Sequence, residues 1–345
     1  MIIKEADQLS LELLTSFLVD ARLLEYGSVT AFTIHPDQTT PFSGSRITHI
    51  KLEFSKGASI KISSQLVLKI GTGPKEGFFY QNLLPQMKGK IAPENYYSQF
   101  DAASNTSNYL LEDLSQSHWQ TQWPLPPSLD DCRSAVMLLA RLHAHWWDSP
   151  FLQQDFQAMF PGGKWWRARI DLGIKRMDAF LYFMGDRLST ERSAIYQTIL
   201  ASTNQSWKPG QGSVHATLLH GDAHFWNFMF PHDSKLHPLL MIDWNSWDVG
   251  RATDDLAYML ALHWYPERRA RFELPLLQDY HRKLLECGVS GYGFDEFLLD
   301  YRQSVIMNMF IPVWQWERGI HPSVWWSHLE RSFLAFDDWK CIELL

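Results

Sequence analysis

The chain has 345 residues, 46% of them hydrophobic and 20% charged, which excludes a disordered protein and supplies enough apolar material for two lobes. Its formal net charge of −7 lacks the basic balance of a nucleic-acid binder, so no nucleic-acid partner is expected. Cys132, Cys287 and Cys341 form neither a disulfide framework nor a metal-ligand spacing, the N-terminus is interrupted by acidic residues too early for a signal peptide, and no apolar run approaches a membrane span, so a reducing, cytoplasmic setting is expected.

In chain order, residues 1–24 place Leu9, Leu13 and Phe17 at helical spacing, with Leu14 and Leu18 beside them, and predict an N-terminal helix. The turn formers of 36–46 read as a loop. Arg46–Phe54 alternates, with Ile47, Ile50, Leu52 and Phe54 among polar residues, and Gln65–Ile70 reads as a buried strand. Gly71-Thr72-Gly73-Pro74 breaks that strand, and Pro74 suits the first turn of a helix running to Met87. Further strands are predicted at Asn95–Phe100 and Asn108–Leu111. Beyond 115 the character changes: Pro124–Pro127 resembles a linker, and Asp130–Trp147 carries a helical stripe of Ala135, Leu138, Leu139, Leu142 and Trp146. Helices follow at about 165–185 and 189–204, then a hairpin-like pattern around Pro231–Lys235, then a mostly helical remainder. The expected fold class is α+β, with a small β-rich lobe over 1–114 and a larger helical lobe over 115–345.

Two short stretches carry chemistry. Leu218–Phe230 reads LLHGDAHFWNFMF, and Leu239–Leu256 reads LLMIDWNSWDVGRATDDL. Asp222 is followed five residues later by Asn227, and Asp243 ends an apolar strand further on. Phosphoryl transfer needs such a set. One carboxylate orients the attacking hydroxyl, while a carboxylate and an amide oxygen hold Mg²⁺ against the phosphates. Singly, each residue also suits a turn or a cap.

These motifs resemble the aminoglycoside phosphotransferase, choline kinase and ecdysteroid-kinase-like superfamily, which has a protein-kinase-like fold. His220-Gly221-Asp222 with Asn227 matches its HGDxxxxN loop, and Ile242-Asp243-Trp244 matches its IDW or IDF strand end. Gly250 and Asp254-Asp255-Leu256-Ala257-Tyr258 resemble the helix start that follows. The resemblance implies that Asp222 is the catalytic base or hydroxyl-orienting group, and that Asn227 and Asp243 bind Mg²⁺. It further implies ATP or GTP as co-substrate and a small-molecule alcohol as acceptor.

A lysine in an apolar strand needs a partner, because a lone buried ammonium is costly. Lys69 is such a lysine. The resemblance implies that it contacts the α- and β-phosphates and pairs with a glutamate on the next helix, where Glu76 is the only acidic residue. In that first turn Glu76 would equally satisfy the helix dipole. Gly44 and Ser45, within Phe42–Arg46, are the candidate phosphate-covering amides, although an ordinary turn fits them as well. Tyr109–Leu114 resembles the lobe-connecting segment, with Glu112 and Leu114 as the adenine-facing positions through their backbones.

Other features are assigned no chemistry. One of Asp254 and Asp255 is read as a helix-capping residue, the histidines as non-zinc, and most of the 16 tryptophans as core. Acceptors compatible with the resemblance are aminoglycosides, macrolides, sugars, sterol-like alcohols and choline-like amino alcohols. Choline ranks lower, because WNSWDVGRATDD departs from the choline-kinase version of that segment. The rival readings are a catalytically inactive nucleotide-binding scaffold and a protein kinase, the latter disfavoured by the absence of HRD-, DFG- and APE-type motifs.

Overall fold

Ser10 opens the first long helix, α1 (Leu11–Asp20), its Oγ accepting the Leu13 N–H at 3.1 Å, as short polar side chains do at helix starts. The computed structural model describes residues 2–36, 44–153, 165–205 and 215–345. After α1 come β1 (Leu24–Tyr26), β2 (Val29–Pro36), β3 (Arg46–Phe54), β4 (Ser59–Ile60) and β5 (Gln65–Thr72). Next is α2 (Lys75–Phe78), which widens into a π turn over Phe79–Leu83 and tightens over Leu84–Gln86. Strands β6 (Asn95–Asp101), β7 (Thr106–Glu112) and β8 (His118–Trp119) follow.

An antiparallel sheet in the order β2-β3-β5-β7-β6 places β5 at its centre. Strand alternation sends Ile50 and Leu52 of β3 and Leu66, Leu68 and Ile70 of β5 into one core with Leu14, Phe17 and Leu18 of α1. The odd-numbered residues of β5, Lys69 among them, therefore point from the other face.

The helical part comprises α3 (Leu129–Trp146), α4 (Trp165–Met184) and α5 (Thr190–Gln205). Short strands β9 (Thr217–Leu219), β10 (Phe228–Pro231), β11 (Leu240–Met241) and β12 (Asp248–Gly250) interrupt it. It resumes with α6 (Ala252–Ala257) and its π turn Tyr258–Leu262, then α7 (Pro266–Glu286), α8 (Phe294–Asn308), α9 (Ile311–Glu317) and α10 (Pro322–Asp338). Ser128 caps α3 through the Asp131 N–H, and Trp146, Trp247 and Trp264 are fully buried core residues.

The chain divides into two compact units, Met1–Gln120 with Met229–Asn245, and Thr121–Phe228 with Ser246–Leu345. The segment carrying Asp243 joins the first unit because β10 pairs with β8 and the Met241 N–H bonds the Ile91 carbonyl at 2.7 Å. No helix among the described residues is long and apolar enough to cross a membrane.

Candidate active site

In the first unit, Lys69 is 5% exposed, and its ammonium lies 2.7 Å from Glu76 Oε2 and 2.7 Å from Asp243 Oδ1. Burial by itself would favour the neutral amine, but the Asp243 and Glu76 carboxylates outweigh it and hold the Lys69 pKa above its ordinary value. Glu76 is itself buried, so its place in the first turn of α2 serves the ion pair and is not a solvated response to the helix dipole. Asp243 adopts φ = +65°, a left-handed conformation that costs a non-glycine residue about 1–3 kcal/mol and persists only where neighbours enforce it. Here Trp244 does so. Its indole N–H donates to the Met241 carbonyl at 3.1 Å, its ring stacks on Phe79 at 3.8 Å, and its backbone N–H bonds Glu76.

In the second unit, Asp222 and Asn227 are joined by a local turn. The His224 N–H donates to the Asp222 carbonyl at 2.8 Å, and the Asn227 N–H donates to the His224 carbonyl at 2.9 Å. Asn227 Nδ2 donates to the Asp222 carbonyl at 2.9 Å. Gly221 has φ = +76°, and a Cβ there would stand 2.0 Å from the Ser246 carbonyl, so only glycine allows this approach. The Asp222 side chain is 21% exposed. The Tyr258 hydroxyl donates to its Oδ1 at 2.8 Å, and Arg169 Nη2 stands 3.7 Å from the same oxygen. Burial would raise the Asp222 pKa, but His224, Arg169 and Tyr258 together prevail and hold it well below the usual carboxylate range. Burial and the Asp222 charge push the Tyr258 phenol up, so it remains a donor.

Three residues around this loop, Asp255, Tyr258 and Arg169, are given no chemistry by the sequence. One of Asp254 and Asp255 is expected from the sequence to cap a helix, and that expectation is corrected. Arg251 occupies the N-cap position and both aspartates lie inside α6. The buried Asp255 carboxylate instead accepts the His220 N–H at 2.7 Å and the Gly221 N–H at 2.9 Å, anchoring the loop, while His143 faces it at 3.3 Å. Tyr258 belongs to the same motif string, which offered the only sequence signal for either residue. Nothing near Arg169 in the sequence marks it.

The remaining candidates lie in the first unit. Gly44 is exposed and Ser45 buried beside Gly71 where the chain enters β3, while Phe42 and Ser43 fall outside the described residues. The Glu112 carboxylate pairs with Lys90 at 2.6 Å, and the Leu114 carbonyl accepts the Ser117 and His118 N–H groups.

Mg²⁺ prefers hard oxygen ligands and is usually held by one or two carboxylates plus phosphates and water. With Nδ2 turned to the Asp222 carbonyl, Asn227 retains Oδ1 as such an oxygen, and Asp243 retains Oδ2 beside the Oδ1 that meets Lys69. Both residues fit this ion. Among the described residues no cluster of three or more His, Cys, Asp or Glu side chains could hold a metal ion.

A search of curated protein sequences found no significant match. Among solved structures, a candidate aminoglycoside phosphotransferase from Ralstonia eutropha is 14% identical with a TM-score of 0.60, covering 96% of this chain and 98% of that one. Choline kinase from Cryptosporidium parvum is 13% identical with a TM-score of 0.52, covering 90% of each chain. A thermostable mutant of aminoglycoside phosphotransferase APH(4)-Ia, solved in ternary complex with ADP and hygromycin B, is 10% identical with a TM-score of 0.52, covering 95% of this chain and 98% of that one. These likenesses establish the protein-kinase-like fold. A model of the ecdysteroid kinase-like family matches residues 58–289, well over half of the sequence, and the chain belongs to that family.

Proposed function

We propose that the chain is a small-molecule kinase that moves the γ-phosphate of ATP or GTP to a hydroxyl of its acceptor. One observation carries this reading: Lys69, buried on the central strand, is ion-paired at once to Glu76 and to Asp243, whose backbone is held left-handed. In protein kinases a strand lysine paired to a helix glutamate and a metal-binding aspartate must both be in place, and Lys69 touches the candidate for each. In this reading Lys69 meets the α- and β-phosphates, and Gly44, Ser45 and the backbone of Glu112–Leu114 receive the rest of the nucleotide. Asn227 Oδ1 and Asp243 would serve as Mg²⁺ ligands, and the ion would supply positive charge to the phosphate oxygens. Asp222 accepts a hydrogen bond from the acceptor hydroxyl and takes its proton as the phosphoryl group is attacked. The family supports a small-molecule acceptor, as do structural relatives described as choline kinase or complexed with hygromycin B.

The test is ³¹P NMR of the protein with Mg·ATP and a panel of aminoglycosides, macrolides, sugars, sterol-like alcohols and amino alcohols. The expected result is ADP and a phosphate monoester of one acceptor class. Nucleotide binding with no ester from any acceptor points to the inactive scaffold, and no nucleotide binding at all removes the reading.

A further inference from the structure

Arg169 is 4% exposed on α4 and is directed at the loop that carries Asp222. Its Nη1 donates to the Gly221 carbonyl at 3.2 Å and its Nη2 faces Asp222 Oδ1 at 3.7 Å, so one guanidinium spans two successive residues. Its guanidinium carbon lies over the Trp314 ring, 4.6 Å from the centroid, a cation–π platform contributed by α9.

The helices are built to deliver it. One turn along α4, Gly173 lacks a Cβ that would stand 2.8 Å from Phe310 Cβ and 2.9 Å from the Phe310 carbonyl, so α4 packs close against the start of α9. Residues four apart share a helix face. Gly173 against Phe310 and Arg169 against Trp314 are therefore consecutive rungs of one helix pair.

The two Asp222 oxygens are treated differently. Oδ1 receives Tyr258 at 2.8 Å and faces Arg169. Oδ2 has Asn227 Nδ2 at 3.4 Å and His224 Nε2 at 3.5 Å, which like the 3.7 Å charge contact of Arg169 are longer than the Tyr258 hydrogen bond, so Oδ1 alone has a short donor.

We propose that Arg169 is a positioning residue for phosphoryl transfer: it fixes the Asp222 carboxylate through Oδ1, presents Oδ2 to the acceptor hydroxyl, and offsets the repulsion between that carboxylate and the incoming phosphoryl group. The proposal rests on the reading of Asp222 given under Proposed function. Trp314 and Gly173 act through Arg169. Lysine cannot replace it fully, since an ammonium is a point charge without the planar fork that spans two acceptors.

The experiment measures phosphate release from Mg·ATP, with water as the acceptor, for the native protein, Arg169→Met, Arg169→Lys, Trp314→Leu and Asp222→Asn. Arg169→Met is expected to lower kcat about 10–100-fold with the KM for ATP within about twofold, the pattern of an interaction made chiefly in the transition state. Arg169→Lys restores part of the loss, and Trp314→Leu gives a smaller loss in kcat alone. A native kcat in Arg169→Met, or equal loss in the Met and Lys variants with a raised KM, overturns the proposal. Turnover lost in Asp222→Asn but intact in Arg169→Met sinks this inference alone, whereas turnover intact in Asp222→Asn sinks the reading beneath it. A crystal structure of Arg169→Met decides independently of rate. The carboxylate is expected to leave Tyr258, and an unmoved Asp222 counts against the role.

Discussion

Asp243 is held by an ammonium, Asp222 by a phenol, a guanidinium and the turn around it. In the first unit charge is set against charge: Lys69 lies 2.7 Å from two carboxylates, and the backbone of Asp243 is forced left-handed by an indole stacked on Phe79. In the second unit the backbone is fixed first, by Asp255 accepting two successive N–H groups, and the carboxylate is then oriented by Tyr258 and Arg169. The difference suits two tasks. In the roles proposed above, a carboxylate that exchanges an ammonium for a metal is suited by an ion pair, and one that meets a hydroxyl at a set angle is suited by directional donors.

The comparison predicts that damage to the second set lowers turnover, and damage to the first lowers nucleotide affinity and stability. The largest effect belongs to Asp222→Asn, expected to lower kcat about 10²–10⁴-fold while the ATP affinity, read by titration of a fluorescent nucleotide, stays near native. A matching loss of affinity would erase the contrast between the two sets. Lys69→Met leaves Glu76 buried and unpaired, and is expected to cost about 3–5 kcal/mol in urea unfolding as well as most nucleotide affinity. An unchanged unfolding midpoint would mean the ion pair is not what holds this centre.

Gly221→Ala forces a Cβ toward the Ser246 carbonyl at a positive φ, and is expected to destabilise the second unit by at least about 2 kcal/mol. Thermal unfolding checks it, and a native Tm would show that the loop can move aside. A pH test concerns His328, whose imidazole is pushed down to about 3 by burial and then by the Arg331 charge. Between about pH 6.5 and 3 the unfolded chain takes up this proton and the native state does not, so stability falls as pH drops through that window. His263, lowered by burial and by His328, adds a slope of the same sign. In His328→Gln the fall is expected to be shallower, by on the order of a few kcal/mol across the window. Parallel curves for variant and native protein would remove His328 from the account. The smallest effect is Phe79→Leu, which loses the stack on Trp244 and is expected to cost about 0.5–1.5 kcal/mol beyond the lost area. It should lower ATP affinity without altering the pH dependence of stability, and a change confined to kcat would contradict the division between the two sets.

The legible parts share one physical property, locality. Strand β3 was predicted with its observed bounds, and β5 and α3 nearly so, because a half-buried strand or helix writes its period into consecutive residues. The two-residue strands β4, β8 and β11 have no period to write, and the π turn after α2 follows a stretch read simply as helix. Asp222 and Asn227 were found together because a short turn joins them, and Lys69 stood out as a charge inside an apolar strand.

By itself, then, the sequence determined the α+β class, the HGD loop with its asparagine, the strand-end Asp243 and the need of Lys69 for a partner. Tertiary structure decided what Lys69 pairs with 174 residues away, that Asp255 anchors a loop 34 and 35 residues before it, and that Arg169 reaches Gly221 across 52 residues. The reason is that a buried charge advertises only its cost in the local sequence. The partner that offsets that cost is chosen by packing, which brings together residues whose spacing along the chain carries no pattern.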